Sequence, residues 1–427
     1  MTDPAAREFD VVVFGASGFT GRLVAEYLFE RYGTGGEPPL AWAMAGRNEA
    51  KLEAVRRDLG PGAGSVPILV ADSDDRSALE ALASRTRVVA TTVGPYALYG
   101  SNLVAVCAEQ GTHYCDLTGE VHWMRRMIDA HHETARRTGA RIVHTCGFDC
   151  IPSDLGVHWL QREMRAEHGV YCAAIRFRVE STRGSFSGGT VASMLNMLAE
   201  AERDPSVKTI LRDPYALNPE GSPRGLDGPE KTYPEYDPDF RAWIAPFVMA
   251  EINTKVVRRS HALLGSPYGT GFRYDEAILM PYGQLGFPLA VAMASGTASF
   301  NAAMRVGSLR RWMSALLPEP GEGPDRSARE AGHFRIQLLG KHPDRSSADL
   351  KLRIRCDRDP GYGATARMLG ESAVCLARDP LASPGGVLTP AVAMGDALID
   401  RLDEPDGVQF LSVSTPTIRT QTIRTDG

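Results

Sequence analysis

Through its first third the chain alternates short apolar runs with stretches of helical periodicity, and this constrains the fold more than any other feature. Residues 9–14 (FDVVVF), 40–45, 66–71, 87–93, 113–116 and 141–145 have the length and apolar continuity of strands covered on both faces. Helical spacing over 20–31, 48–59, 75–85, 101–109 and 121–138 separates them. Strand and crossover helix in strict alternation predict an α/β fold built on a doubly wound parallel sheet.

The first strand runs into Gly15-Ala16-Ser17-Gly18-Phe19-Thr20-Gly21 and a helix follows at once. That glycine spacing lets the backbone turn tightly and presents bare N–H groups at a helix N-terminus to a diphosphate. With strand, glycines, helix and second strand in order, the motif predicts a dinucleotide cradle formed by Gly15, Ser17, Gly18, Phe19, Thr20 and Gly21. The second strand ends in Ala45-Gly46-Arg47, with no acid for a ribose 2′-hydroxyl and an arginine suited to a 2′-phosphate. NADP is therefore expected over NAD. Asp72, after the third strand, is read either as an adenine contact or as a helix N-cap.

Beyond Pro152 the alternation stops and longer strand candidates follow, at 174–180, 247–258, 333–339 and 348–356. The expected organisation is a nucleotide-binding domain over 1–154, completed by about 362–427, with an α+β substrate or dimerisation domain inserted at 155–361. Within that insertion the proline-rich stretch 204–246 reads as a lid or a partly disordered excursion. Two C-terminal helices, about 364–377 and 390–402, and a strand near 408–413 are expected to return to the first sheet.

Composition removes several function classes. With 47 basic and 52 acidic residues the net charge is −5, and no basic stripe argues for nucleic acid. Seven cysteines scattered in apolar settings suit reduced thiols and a cytoplasmic protein rather than a disulfide framework. The polar N-terminal segment lacks the basic and apolar regions of a secretory signal. Cysteine and histidine spacing offers no metal site.

The cofactor's reactive end should lie across the carboxyl ends of the later strands. Those ends read Val93-Gly94-Pro95-Tyr96, Tyr114-Cys115-Asp116-Leu117-Thr118-Gly119-Glu120 and Cys146-Gly147-Phe148-Asp149-Cys150-Ile151-Pro152-Ser153-Asp154. Here the sequence resembles the saccharopine dehydrogenase-like oxidoreductases, most closely their actinobacterial trans-acting enoyl reductases. The resemblance runs through FDVVVFGASGFTG, AGR, TTVGPYALYG, YCDLTGE and CGFDCIPSDLG, then SGGTVASML (187–195), VVRRS (256–260), PGEGP (320–324) and GGVLTPAVAMGDALIDRL (385–402). It implies a Rossmann NADP-binding domain, a mixed second domain and hydride transfer to a carbon–carbon double bond of an acyl chain carried by a partner polyketide synthase. The rival readings are a saccharopine-type amino-acid dehydrogenase and a non-catalytic, nucleotide-bound, lipid-associated protein.

The residues bear on this choice. The positions four before the lysines are Arg47, Asp204, Asp227, Glu251, Gln337 and Ser347, so the Tyr/Lys pair of short-chain dehydrogenases is missing. For an acyl thioester the thioester oxygen needs a hydrogen-bond donor and Cα a proton. Tyr96 is the first candidate donor, with Ser153 or water as alternatives, and Asp149 is the third catalytic candidate; Gly94, Pro95, Tyr96 and the Asp149 loop hold the nicotinamide. Cys146 and Cys150 read as small apolar fillers, and Ser187-Gly188-Gly189-Thr190 as a helix start suited to an anion. An acidic acyl carrier protein would dock on basic pairs such as 125–126, 136–137, 258–259 or 310–311. Arg183 and Arg224 are the candidates for a carboxylate substrate. Finally, residues 277–304 carry no charge and read as a buried core helix, an acyl-tunnel wall or interfacial patch, or a membrane-inserted segment. Peripheral membrane contact and a homodimer are left open.

Overall fold

The computed structural model describes residues 7–33, 39–184, 188–304, 323 and 326–413. Strands β1 (Phe9–Phe14), β2 (Trp42–Gly46), β3 (Ile68–Val70), β4 (Thr86–Thr91), β5 (His113–Cys115) and β6 (Arg141–Val143) arise where the apolar runs predict them. A second group comprises β7 (Ala174–Arg183), β8 (Glu235–Asp237), β9 (Ala242–Ala245), β10 (Arg273–Leu279), β11 (His333–Lys341) and β12 (Leu350–Cys356). The last two strands are β13 (Gly386–Leu388) and β14 (Gln409–Ser412).

The first sheet has the order β13-β6-β5-β4-β1-β2-β3, with every pairing parallel. Along β1, Val11 and Val13 enter one core while Val12 and Phe14 enter the other, as two-fold pleating requires of a sheet covered on both faces. The second sheet, β14-β12-β11-β7-β10-β9-β8, is mixed: β7 and β10 run parallel and the other pairs antiparallel. The helix Ile151–His168 leaves the β6 loop and packs on β11 and β12. Its Gly156 allows the approach, since a Cβ there would stand 2.8 Å from Leu338 Cδ2.

Four expectations for the second half are corrected. The segment expected as a strand at 247–258 is the helix Ala250–Leu263. Its Lys255, Arg258 and Arg259 are buried, and that mixture hides the helical period of Ile252, Val256 and Val257. The proline-rich stretch forms a helix, Pro205–Arg212, and the β8–β9 hairpin at the edge of the second sheet, with Val207 and Leu217 fully buried. The strand near 408–413 joins the second sheet beside β12, and β13 is what completes the first. Residues 277–304 are not a core helix: the helix Gly286–Met304 touches the second sheet along a narrow seam and is mostly exposed from Phe287 to Gly296, closing on a buried Met304.

Candidate active site

The carboxyl ends of β1, β4, β5 and β6, neighbours in the first sheet, form one rim. At β1, Gly15 has φ +88°, and a Cβ there would sit 2.6 Å from Val93 Cγ2 on the β4 loop. A Cβ on Gly21 would collide with the Gly15 carbonyl. Both positions thus require glycine, the first for its backbone angle and the second for a helix seated against the strand. Gly18 caps the helix Phe19–Tyr32 without a side chain, and Arg22 N–H is the first to donate back, to Gly18 O. The preceding N–H groups of the first turn, at Phe19, Thr20 and Gly21, have no intrahelical acceptor. Ser17 Oγ lies beside Gly46 at the end of β2. The Phe19 ring turns away, edge-on to Tyr362 with centroids 4.8 Å apart.

Arg47 is exposed and makes no hydrogen bond or ion pair among the described residues. Asp72 closes a turn by accepting from Asp74 N–H at 3.1 Å, and Asp75 is the N-cap of the next helix, so the capping alternative for Asp72 fails. Bare amides, room at Gly46 and an unengaged guanidinium fit a nucleotide bearing a 2′-phosphate.

The β4 loop carries a cis Gly94–Pro95 peptide. Glu120, which ends the β5 loop, clamps this turn: Oε1 accepts from Tyr96 N–H at 2.8 Å and Oε2 from Ala97 N–H at 2.9 Å. Ser193 Oγ, on the helix Gly188–Arg203, donates to the same Oε1 at 2.7 Å. Burial still raises the Glu120 carboxyl above its ordinary range despite the three donors. Asp116 is a second hub, accepting from Tyr114 OH at 2.9 Å, Thr118 N–H at 3.0 Å and Thr145 N–H at 3.1 Å, with His144 Nδ1 at 2.7 Å. It ties the β5 and β6 loops together.

Of the three predicted catalytic side chains, only Asp149 has a carboxyl or hydroxyl left without a partner and not enclosed in a buried network among the described residues. Tyr96 is buried and stacked on Trp123; its hydroxyl donates to Thr91 O at 3.3 Å and accepts Leu117 N–H at 3.2 Å. Burial raises that phenol well above its ordinary value. Tyr96 therefore pins the loop from within and is not placed to donate to a substrate. Ser153 is fully buried beside Glu276 and Tyr274, in a network behind the loop. There Asn253 Nδ2 donates to Glu276 Oε2 at 2.9 Å, Tyr274 OH to Oε1 at 2.7 Å, and Cys150 Sγ to Asn253 Oδ1 at 3.2 Å. Burial pushes Glu276 up to about 7 and the Cys150 thiol well above its ordinary value. Asp149 has no hydrogen bond or ion pair among the described residues, and burial alone pushes its carboxyl up to about 6. Phe148, beside it, is fixed by its N–H donating to Thr365 Oγ1 at 3.1 Å.

Glu120, Ser193, Asn253 and Glu276 escape a reading by motif, because each meets its partner across a long sequence separation. The only local signal was the acid closing YCDLTGE.

Residues 11–143 match the saccharopine dehydrogenase NADP binding domain. A Mycobacterium tuberculosis protein named as a trans-acting enoyl reductase is 44% identical over 407 residues, spanning 93% of this chain and 96% of that protein. The chain belongs to the trans-acting enoyl reductase family. The Mycobacterium ulcerans trans-acting enoyl reductase is 39% identical over 419 residues, 94% of this chain and 97% of that one. Apo saccharopine dehydrogenase of Saccharomyces cerevisiae superposes with a TM-score of 0.48 at 12% identity, covering 95% and 99% of the two chains. This member of the trans-acting enoyl reductase family is an NADP-dependent oxidoreductase.

Of the enoyl reductase segments outside the nucleotide domain, VVRRS has a structural role, and PGEGP lies, but for Gly323, outside the described residues. In VVRRS, Arg258 pairs with Asp227 at 3.1 Å and Glu230 at 3.2 Å; Arg259, fully buried, donates to Leu217 O and to Val387 O of β13. That pair is not a docking patch. Arg125 and Arg126 are paired with Asp129 and Glu200, and Arg136 with Glu133; 310–311 lie outside the described residues. Arg224 is engaged by Asp213, while Arg183 is exposed. Ser187 lies outside the described residues, and Gly188, Gly189 and Thr190 open the helix that carries Ser193. Among the described residues no helix is long and apolar enough to cross a membrane.

Proposed function

We propose that this oxidoreductase reduces the carbon–carbon double bond of an acyl thioester presented by a polyketide synthase or acyl carrier protein. NADPH, when bound, supplies a hydride to Cβ of the enoyl group, and the π electrons pass to the thioester oxygen before Cα takes a proton. The proposed cradle is Gly15, Ser17, Gly18, Phe19, Thr20 and Gly21, with Arg47 on the 2′-phosphate, Asp72 near the adenine, and Gly94, Pro95 and Tyr96 beneath the nicotinamide. Glu120 fixes that floor and Asp149 delivers the proton.

One observation carries this reading: at a rim where Glu120 and Asp116 are engaged by several donors, the Asp149 carboxyl has no partner among the described residues and a pKa pushed up to about 6. A proton donor needs that combination of an unspent carboxyl and a raised pKa. The relatives' names supply the substrate class.

The test is NADPH oxidation with a crotonyl-type thioester, free and on an acyl carrier protein, against an amino acid with a keto acid. Turnover only with the thioester, lost in Asp149→Asn while NADPH still binds, is the expected result. Turnover only with the amino-acid pair would replace this reading with the saccharopine-type one. NADPH binding without turnover on either would favour a non-catalytic, lipid-associated protein.

A further inference from the structure

The helix Gly286–Met304 is in an unusual position for a water-facing element. No charged residue occurs from Ala277 to Met304. Gly286, Ala290 and Ala294, one face at four-residue spacing, are buried against the second sheet, whereas Phe287, Leu289, Val291, Ala292, Met293 and Gly296 are exposed, with the small, uncharged Ser295 among them. At about 100° per residue the exposed positions sweep roughly two-thirds of the helix circumference. Phe287 is 49% exposed, and the loop before it shows Tyr282 and Leu285 at 67% each. At the helix base the apolar surface continues into an aromatic cluster. Phe287 packs on Trp243 at 4.6 Å and Trp243 on Tyr236 at 5.7 Å, placing a tryptophan and a tyrosine with polar tips beside the apolar rod.

We infer that this helix and its aromatic base form a lipid-facing surface, with the helix lying in the plane of a bilayer and its seam toward the protein. Three observations favour lipid over a second protein chain. A rigid partner covers one face of a helix and would leave the flanks in water; fluid hydrocarbon covers the whole exposed arc. The absence of charge extends past the helix into β10 and the loop between, beyond what one protein contact needs. Tyr236, Trp243 and Tyr282 also combine an apolar body with a polar tip, the chemistry favoured at a headgroup boundary. The inference stands apart from the substrate assignment, since it uses no residue of the cofactor rim.

The test is flotation of the full chain with phosphatidylcholine vesicles and with phosphatidylcholine–phosphatidylglycerol vesicles. Because apolar burial drives binding, the protein should float with both, and added salt should change little. The variant Phe287→Ser/Leu289→Ser/Val291→Ser/Met293→Ser should float at least about tenfold less while keeping NADPH binding and its thermal transition. Ala292→Glu, which places one charge on the exposed arc without removing packing, should do the same. Equal flotation of wild type and variants, or none, would overturn the inference. So would a wild-type dimer in light scattering that the same variants dissociate, which would make this face a contact between copies.

Discussion

Glu120 and Asp149 close the loops after two adjacent strands of one sheet, β5 and β6, yet their surroundings are opposite. Glu120 receives three donors, from two backbone amides of the β4 loop and from Ser193. Among the described residues Asp149 receives none. The difference separates two uses of a buried carboxyl. One that holds loops together has its lone pairs filled; the one proposed here for proton transfer has them open and bears the cost of burial unrelieved.

The sharpest way to break this contrast is Asp149→Asn. Turnover should fall by about 10²–10³-fold, the range for a lost general acid, with NADPH affinity nearly unchanged in a fluorescence titration. In the wild type, turnover should be highest below about pH 6 and decline above it as the carboxyl ionises; the substituted chain should lose that limb. Stability should move the other way. The folded chain binds this proton more tightly than the unfolded one, whose carboxyl titrates near 3.8. The group therefore favours folding most below that value, and the advantage is gone above about 6. A shift of two units corresponds to up to about 3 kcal/mol, so Asp149→Asn should raise the melting temperature at pH 8 and change it little at pH 4. Equal melting curves at both pH values would contradict an uncompensated carboxyl.

Glu120→Ala tests the other half. Two buried amides and a hydroxyl lose their acceptor, which should cost about 2–3 kcal/mol in chemical denaturation and weaken NADPH binding through the loosened Gly94–Pro95 turn. If Glu120→Ala left stability intact and removed only turnover, the two carboxylates would have exchanged roles. Arg47→Ala should weaken NADPH by about tenfold or more and leave NADH unchanged, measured by calorimetry. The smallest effect is expected from Tyr96→Phe, about 1 kcal/mol in stability with turnover within a few-fold, because among the described residues its hydroxyl bonds only to Thr91 and Leu117.

What the sequence revealed follows from how local each signal is. The six parallel strands of the first third are legible because a buried strand needs only a short apolar run and its crossover helix supplies its own period. The glycine loop is legible because its geometry is set within seven residues. β8, with three residues, and β9, with four, gave too little pattern inside a proline-rich stretch. The helix Ala250–Leu263 was concealed by its own chemistry, for its buried face includes Lys255, which donates to Glu251 O of the same helix, and Arg258 and Arg259, which reach partners on other segments. The rim was readable as a place, whereas the division of labour on it depends on contacts such as Ser193 with Glu120 that no spacing announces.

The late position of β13 has a consequence for how the chain is made. Residues 386–388 occupy the edge beside β6, and Thr365–Arg378 packs on β1, β4 and β5. A chain emerging from the ribosome therefore exposes an unpaired β6 edge and a bare sheet face until residues 365–388 have been synthesised. Six strands of the nucleotide-binding sheet are translated well before the segments that complete it, so a fragment ending before Gly386 should aggregate rather than serve as a portable cofactor module.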